Sequence, residues 1–252
     1  DRVKIVDIGH DNFDSACEAL ELGSVDMAVV DMAQLIRMEK NDENLPYGVV
    51  ISGVLKRGDS RYVMIRKRHA KDLIENAVVA TDSYSKTERI KHMYDGISCV
   101  VETDIRKCIE KLDASECDAV FVLLEDIKAA RLHNSFLYRY TIMDYGECVP
   151  VHGEGVYAML TKGKKEAVRT ARELSHKSTA ECFEIEDDII SRVMQNVYVK
   201  TCDVYARISS DRLEIYADVT GNRGRIRVNE RGTFVNKNLI ITKIVDRISK
   251  SM

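Results

Sequence analysis

The first residues expected to take part in binding or catalysis lie at the end of the apolar run 25–30. The chain reads V-D-M-A-Q there, over residues 30–34. The run is typical of a strand buried on both faces of a parallel sheet. Ligands of open α/β sheets bind at the carboxyl ends of such strands. Asp31 is the one acidic side chain at this edge, and no base or nucleophile accompanies it. The segment therefore predicts a binding edge at which only Asp31 could act as an acid or base.

The histidines do not form a recognisable metal motif. They show no i, i+4 pair and no carboxylate partner at ligand spacing, so we expect no metal site. The six positions are His10, His69, His92, His133, His152 and His176. The motif H-G-E-G at 152–155 places a histidine next to a carboxylate. A tight turn with Gly153 and Gly155 at positive φ accounts for the same four residues.

The seven cysteines indicate a reducing compartment. Their number is odd, no C-x-x-C spacing occurs, and a 252-residue chain needs no disulfides to hold a core. We therefore expect a cytoplasmic protein. Apolar or amphipathic surroundings predict core positions for five of them, namely Cys99, Cys108, Cys117, Cys148 and Cys182.

Composition indicates a globular protein with two or three domains. The chain is 45% hydrophobic and 31% charged, with a formal net charge of −3. The charge argues against a nucleic-acid partner, and no apolar stretch approaches the roughly 20 residues of a membrane span. A basic run at 61–68 fits a solvated strand edge followed by a loop, and a phosphate site is the alternative.

Strands alternate with helices over the first two thirds of the chain, which predicts βαβ units. A helix over 14–22 ends at Gly23, and a capping-box spacing at 85–88 predicts another helix start. The other strands are expected at 49–55, 61–65, 77–81, 98–101, 118–124 and 157–160, and the other helices at 104–112 and around 127–130. After residue 164 the pattern changes to helices at 164–174 and 179–195, strands at 204–208, 213–219 and 225–228, and a helix at 236–249.

Six blocks of sequence together resemble one family, porphobilinogen deaminase, also called hydroxymethylbilane synthase. Residues 18–30 are similar to its helix, glycine and D-x-A-V strand, and 45–65 to its crossover segment. The remaining blocks are 77–90, 102–132, the turn P-V-H-G-E-G at 150–155, and 179–208. Order and spacing hold from about residue 9 to 252.

The resemblance implies an α/β fold with two periplasmic-binding-protein-like domains and a C-terminal α+β domain with a three-stranded antiparallel sheet. The expected boundaries are 1–55 with 144–165 for domain 1, 56–143 for domain 2, and 166–252 for domain 3. The family has roughly 50–60 further residues before the equivalent of Gly9, so domain 1 is expected to be N-terminally incomplete here.

The resemblance also implies a reaction. The family condenses four porphobilinogens in tetrapyrrole (haem) biosynthesis, on a dipyrromethane cofactor attached to a cysteine. Each pyrrole carries an acetate and a propionate, so the cleft needs several Arg and Lys side chains. One carboxylate must stabilise the pyrrole cation, and a thiol must form the thioether.

Matched residue by residue, these groups are missing. The catalytic carboxylate position is Gln34, and the lysine before it is Ala33. The cofactor cysteine position is Val197 or Tyr198. Cys202, four or five residues further on, is expected to be a core cysteine at a strand edge, and a displaced attachment residue is the alternative. The other positions expected to line the cleft are Asp31, Asp82, Ser83, Ser85, Lys86, Glu102, Asp104, Cys108, Lys128, Ala129 and Glu154.

Two functions follow from this comparison. The first is a family member without catalysis or cofactor, a pseudoenzyme that binds an unknown small ligand or a protein partner but neither nucleic acid nor membranes. The alternative is an active hydroxymethylbilane synthase, a transferase that carries dipyrromethane and uses relocated residues.

Overall fold

The computed structural model describes residues 4–5, 13–41, 44–70 and 76–252. His10 and the start of the resemblance near residue 9 lie outside the described residues. No helix in the described ranges combines the length and the apolar composition that crossing a membrane requires.

The described chain forms three β-sheets with helices packed on them. In order, the first elements are α1 (Phe13–Glu21), β1 (Met27–Asp31), α2 (Met32–Lys40), β2 (Val49–Val54), β3 (Tyr62–Lys67), β4 (Val78–Thr81), α3 (Tyr84–Lys91), β5 (Ser98–Val101), α4 (Ile105–Asp113), β6 (Ala119–Leu123) and α5 (Leu124–Ala129). The remaining elements are β7 (Tyr138–Ile142), β8 (Tyr157–Lys162), α6 (Lys165–Leu174), α7 (Lys177–Met194), β9 (Val199–Ser209), β10 (Arg212–Gly221), β11 (Gly224–Thr233) and α8 (Lys237–Ser251).

The first sheet has the order β1-β8-β2, and both pairings are antiparallel. The prediction of a doubly buried parallel strand at 25–30 is therefore wrong for the described residues. Ala28 and Val30 face the core with α1, whereas Val29 is 50% exposed. An antiparallel sheet can have one face in water, which explains why buried and exposed residues alternate along β1. The helix before β1 ends as predicted, with Gly23 at φ +68.

The second sheet has the order β5-β4-β6-β3-β7. Its strand β6 is buried at every position, as predicted, and pairs parallel to β4. The prediction of a solvated strand edge at 61–68 is wrong, because β3 lies inside the sheet with Tyr62, Val63 and Ile65 fully buried. Sequence analysis missed β7, whose polar Y-R-Y-T-I pattern is that of an exposed edge strand.

The chain crosses between these two sheets twice, after β2 and again between β7 and β8. Two α/β layers joined by two crossings are the arrangement of periplasmic-binding-protein halves, and this confirms the predicted fold class. The predicted domain boundaries stay a prediction.

The third sheet, β11-β10-β9, is antiparallel throughout, as expected for the C-terminal α+β domain. The helices α7 and α8 pack on one face, where alternate apolar residues of all three strands form a single core. Its other face carries charged and tyrosine side chains and turns toward the two α/β sheets.

A buried ion pair connects the first crossing segment to α7. The Arg57 guanidinium donates to both carboxylate oxygens of Glu186, at 2.6 and 2.8 Å. Glu186 also accepts the Ala206 N–H at 2.7 Å, and Thr179 Oγ1 accepts the Arg57 N–H at 3.0 Å. Because the Glu186 carboxylate is fully buried and the Arg57 side chain is only 9% exposed, each charge depends largely on the other for solvation.

We predict that Glu186→Gln lowers the free energy of unfolding by about 3–5 kcal/mol, because it leaves the Arg57 charge buried and unpaired. Urea denaturation measures this change. The exposed pair Arg169–Glu173 is the matched control, and Arg169→Gln should cost less than about 1 kcal/mol. Equal losses in the two variants would contradict the role of the buried pair.

Candidate functional site

Helix α3 carries the central residue of the candidate site, Lys86. Its buried Nζ donates to Asp82 Oδ1 and Oδ2 at 2.6 and 2.7 Å and lies 3.9 Å from Glu154 Oε1. The helix begins at Tyr84 with Ser83 as N-cap, two residues earlier than Ser85, the N-cap that the capping-box spacing predicts. Ser83 Oγ lies 3.1 Å from Ser85 Oγ instead of capping the helix.

Glu154 reaches Lys86 from a tight turn between β7 and β8. Gly153 and Gly155 have φ of +86 and +72, which confirms the predicted turn. A Cβ on Gly153 would lie 2.9 Å from the Ala33 nitrogen, so only glycine allows this approach. The Tyr62 hydroxyl donates to the buried Glu154 carboxylate. Burial raises the pKa of Glu154 to about 7, although the Lys86 ammonium acts in the opposite direction.

Two further carboxylates lie close enough to interact with this ammonium. Asp31 caps α2, accepting the Gln34 N–H at 2.9 Å, and burial raises its pKa. Burial also raises the pKa of Asp126 to about 6, with Lys86 opposing and Asp82 adding to the rise. We call Asp31, Asp82, Asp126, Glu154 and Lys86 the acidic cluster. Asp126 was not among the predicted site residues, although it lies in the first turn of α5, three residues after the carboxyl end of β6.

A second cation of α3, Arg89, is buried against the C-terminal sheet. It pairs with Asp203 of β9 and, at 3.2 Å, with Asp218 of β10. Burial disfavours its charge, but the two carboxylates outweigh burial and raise the pKa of Arg89. Sequence analysis did not single out Arg89, because a charged residue in a helix is usually solvated.

The predicted cleft positions on α4 and α5 add no cation to the acidic cluster. Asp104 caps α4 by accepting the Arg106 N–H at 2.8 Å. The Cys108 thiol is buried, donates to the Glu102 carbonyl oxygen at 3.2 Å, and has its pKa raised by burial to about 12. Ala129 is exposed, and the neighbouring Lys128 ammonium lies 3.4 Å from Asp59.

Gln34, the residue predicted to stand at the position of the catalytic carboxylate, is half-buried in the first turn of α2, and Ala33 before it is buried. A primary amide carries no charge and cannot stabilise a pyrrole cation as a carboxylate does.

The predicted attachment positions lie in the turn between α7 and β9, where Val197 is 84% and Tyr198 53% exposed. Neither side chain can form a thioether. Cys202 is buried in the core beneath α7 and α8. Because side chains alternate along a strand, it faces away from the neighbouring Asp203, which pairs with Arg89.

Two described histidines, His152 and His176, take part in packing and helix capping. The described residues contain no group of three or more His, Cys, Asp or Glu side chains placed to hold a metal ion. His152 stacks on Phe183 with its Nε2 3.4 Å from Asp187 Oδ1, and His176 caps α7. Of the five predicted core cysteines, Cys99 is half-buried and the other four are buried.

Comparison with known proteins identifies the class of protein. The family model described as "Porphobilinogen deaminase, dipyromethane cofactor binding domain" matches residues 10–170. This is more than half of the chain, which therefore belongs to the porphobilinogen deaminase family.

Individual relatives are distant. The chain is 22% identical over 218 residues to the porphobilinogen deaminase of Clostridium acetobutylicum, covering 81% of this chain and 74% of the relative. It is 24% identical over 192 residues to that of Chlorobium luteolum, covering 75% and 60%. Among solved structures, it is similar to the periplasmic VFT2 domain of Bordetella pertussis BvgS, at 16% identity and a TM-score of 0.43, covering 66% and 68%.

The residues present do not fit a dipyrromethane cofactor. Two pyrroles bring two acetates and two propionates, which need several cations within reach. The acidic cluster instead places four carboxylates around one ammonium. Neither attachment position has a thiol, and the nearest cysteine lies inside a core.

The raised pKa of Glu154 makes stability depend on pH. The folded state holds this proton up to about pH 7, whereas the unfolded state releases it near pH 4.5. The folded state thus binds more protons in between, so stability falls as pH rises from 4.5 to 7 and then stays level.

We predict that Glu154→Gln raises the free energy of unfolding at pH 8 by about 2–3 kcal/mol, because the amide removes the buried charge. The gain should shrink to below about 0.5 kcal/mol at pH 4, where the wild-type carboxyl is protonated in both states. Urea denaturation at pH 4, 6 and 8 measures it, with exposed Glu166→Gln as the control. A gain independent of pH would contradict the assignment.

Proposed function

We propose that this chain is a non-catalytic member of the porphobilinogen deaminase family, a pseudoenzyme that keeps the scaffold and binds a small ligand or a protein partner. The observation that carries the proposal is the acidic cluster. Its carboxylates already neutralise Lys86, where the family must hold an anionic substrate.

The charge balance opposes substrate binding. A charged hydrogen bond to a ligand is worth about 1.5–3 kcal/mol, so four missing cations remove at least about 6 kcal/mol. The four carboxylates of the acidic cluster outnumber its one ammonium, and they then add repulsion toward the carboxylates of the substrate. The loss exceeds a factor of about 10⁴ in affinity before chemistry begins.

The same charge balance indicates what the cleft accepts. A neutral or cationic small molecule avoids the repulsion, and a protein partner can use the outer surface without entering the cleft. We place the protein in the cytoplasm, because all seven cysteines are thiols in the structure. A nucleic-acid partner or a membrane finds no support in the net charge of −3.

Catalysis as a hydroxymethylbilane synthase is the second candidate, supported by the family match over residues 10–170. It requires a different carboxylate, a different set of cations and a different attachment residue from those matched above.

We predict that the purified chain incubated with porphobilinogen forms no linear tetrapyrrole, measured as uroporphyrin absorbance after acidification and oxidation. Intact-mass spectrometry should give the bare polypeptide mass. The Clostridium acetobutylicum relative is the positive control. Porphyrin formation together with a mass increase equal to dipyrromethane would establish the second candidate instead.

The variant Gln34→Asp separates two causes of inactivity. It restores the carboxylate but no cation, so it should remain inactive in the same assay. Activity in this variant would show that the cleft binds substrate despite the acidic cluster, and the electrostatic argument would be wrong.

A further inference from the structure

A cavity of about 400 Å³ lies outside the cleft, between the first residues of β3, the segment after β7 and the charged face of the C-terminal sheet. None of the positions matched to the family cleft lines it. Its cations are Arg61, Arg207 and Arg231, which come from three separate parts of the chain.

Each of the three guanidinium groups is positioned by partners on one side only. Arg61 donates through Nε and Nη2 to Asp59, at 2.9 and 2.7 Å. Arg207 is held in the same way by Glu214.

Arg231 completes the set. Its Nε lies 3.5 Å from Glu214 Oε1, and its Nη2 donates to the Tyr216 hydroxyl at 3.3 Å. The Nη1 groups of all three arginines make no hydrogen bond among the described residues. Fixed guanidinium groups with unused N–H donors are suited to bind an oxyanion.

Strand pairing explains why these groups meet. Residues two apart in β11 share a face, so Asn229 and Arg231 point to the same side. In the antiparallel register, Asn229 lies opposite Tyr216 and Arg231 opposite Glu214. The side-chain amide of Asn229 makes no hydrogen bond to the described residues, so its N–H groups add neutral donors to the cavity.

Tyrosine rings form the apolar part of the cavity. Tyr145 stacks on Tyr205 with ring centroids 4.1 Å apart and tilts against Tyr216 at 5.8 Å. The Arg207 guanidinium lies over the Tyr145 ring, 5.6 Å from its centroid. A second cavity of about 130 Å³ shares Tyr216 and Asn229 and extends the groove to Arg227.

The charges in and around the cavity nearly balance. Three arginines face two carboxylates, Asp144 and Glu147, in a chain whose net charge is −3. Glu147 Oε2 accepts the Asp144 N–H at 3.2 Å and is thereby held against its own loop. Asp59 and Glu214, which pair with these arginines, balance the remaining positive charge, so the unused N–H donors and not the net charge favour an anion.

We propose that this cavity binds a small organic anion, whose carboxylate or phosphate group is held by Arg61, Arg207 and Arg231 and whose apolar part lies against Tyr145 and Tyr216. The site is separate from the family cleft and does not rest on the proposed loss of catalysis.

Isothermal titration calorimetry of the whole chain at low salt tests the proposal, with phenyl phosphate, phenylsuccinate and benzylamine as probes. At least one of the two anions should bind with a saturable 1:1 isotherm, the tighter one identifying the preferred group, and benzylamine should not. No saturable anion binding up to millimolar concentration, or tighter binding of benzylamine, would overturn it.

Two charge-matched variants locate the site. Arg231→Gln should weaken anion binding by about 10–100-fold, because it removes one charged hydrogen-bonding group. Arg223→Gln removes the same charge from the exposed β10–β11 turn, at the other end of the hairpin, and should change binding less than twofold. Thermal melting checks that both variants fold. Equal effects of the two substitutions would mean general charge attraction and would refute the site.

Discussion

The burial of two cations on α3 is the constraint on which the rest of the structure depends. Lys86 and Arg89 are three residues apart, and neither reaches water. A buried charge persists only when partners replace its solvation. Asp82 and Glu154 provide this for Lys86, and Asp203 and Asp218 for Arg89. One short helix thus connects the second sheet to the turn before β8 and to the C-terminal sheet.

This constraint decides which cations of the chain have donors available to a ligand. A cation that binds an anionic ligand must be positioned by the fold and yet keep donors available to that ligand. Lys86 uses its ammonium on in-chain carboxylates, whereas Arg61, Arg207 and Arg231 keep one edge of each guanidinium available. The chain therefore has cations with available donors on the C-terminal sheet, at Arg207 and Arg231, and just before β3, at Arg61.

Much of the fold could be predicted because local patterns carry it. Buried β6, the helix ending at Gly23 and the three-stranded C-terminal sheet all follow from apolar periodicity and glycine positions. The predictions that were wrong concern which strands lie next to each other in a sheet. The position of β3 inside its sheet depends on β7, whose polar sequence is hard to distinguish from a loop, and the pairing of β1 depends on β8, more than 120 residues away.

The sequence by itself determined which chemical groups are present: a glutamine at position 34, no thiol at 197 or 198, and acidic residues at 82, 102 and 104. Only the tertiary structure decided which groups meet. Asp31, Asp82, Asp126 and Glu154 come from separate segments, and nothing in their spacing shows that they share one ammonium. The reason is physical, since burial and charge pairing depend on through-space distances that long-range strand order sets.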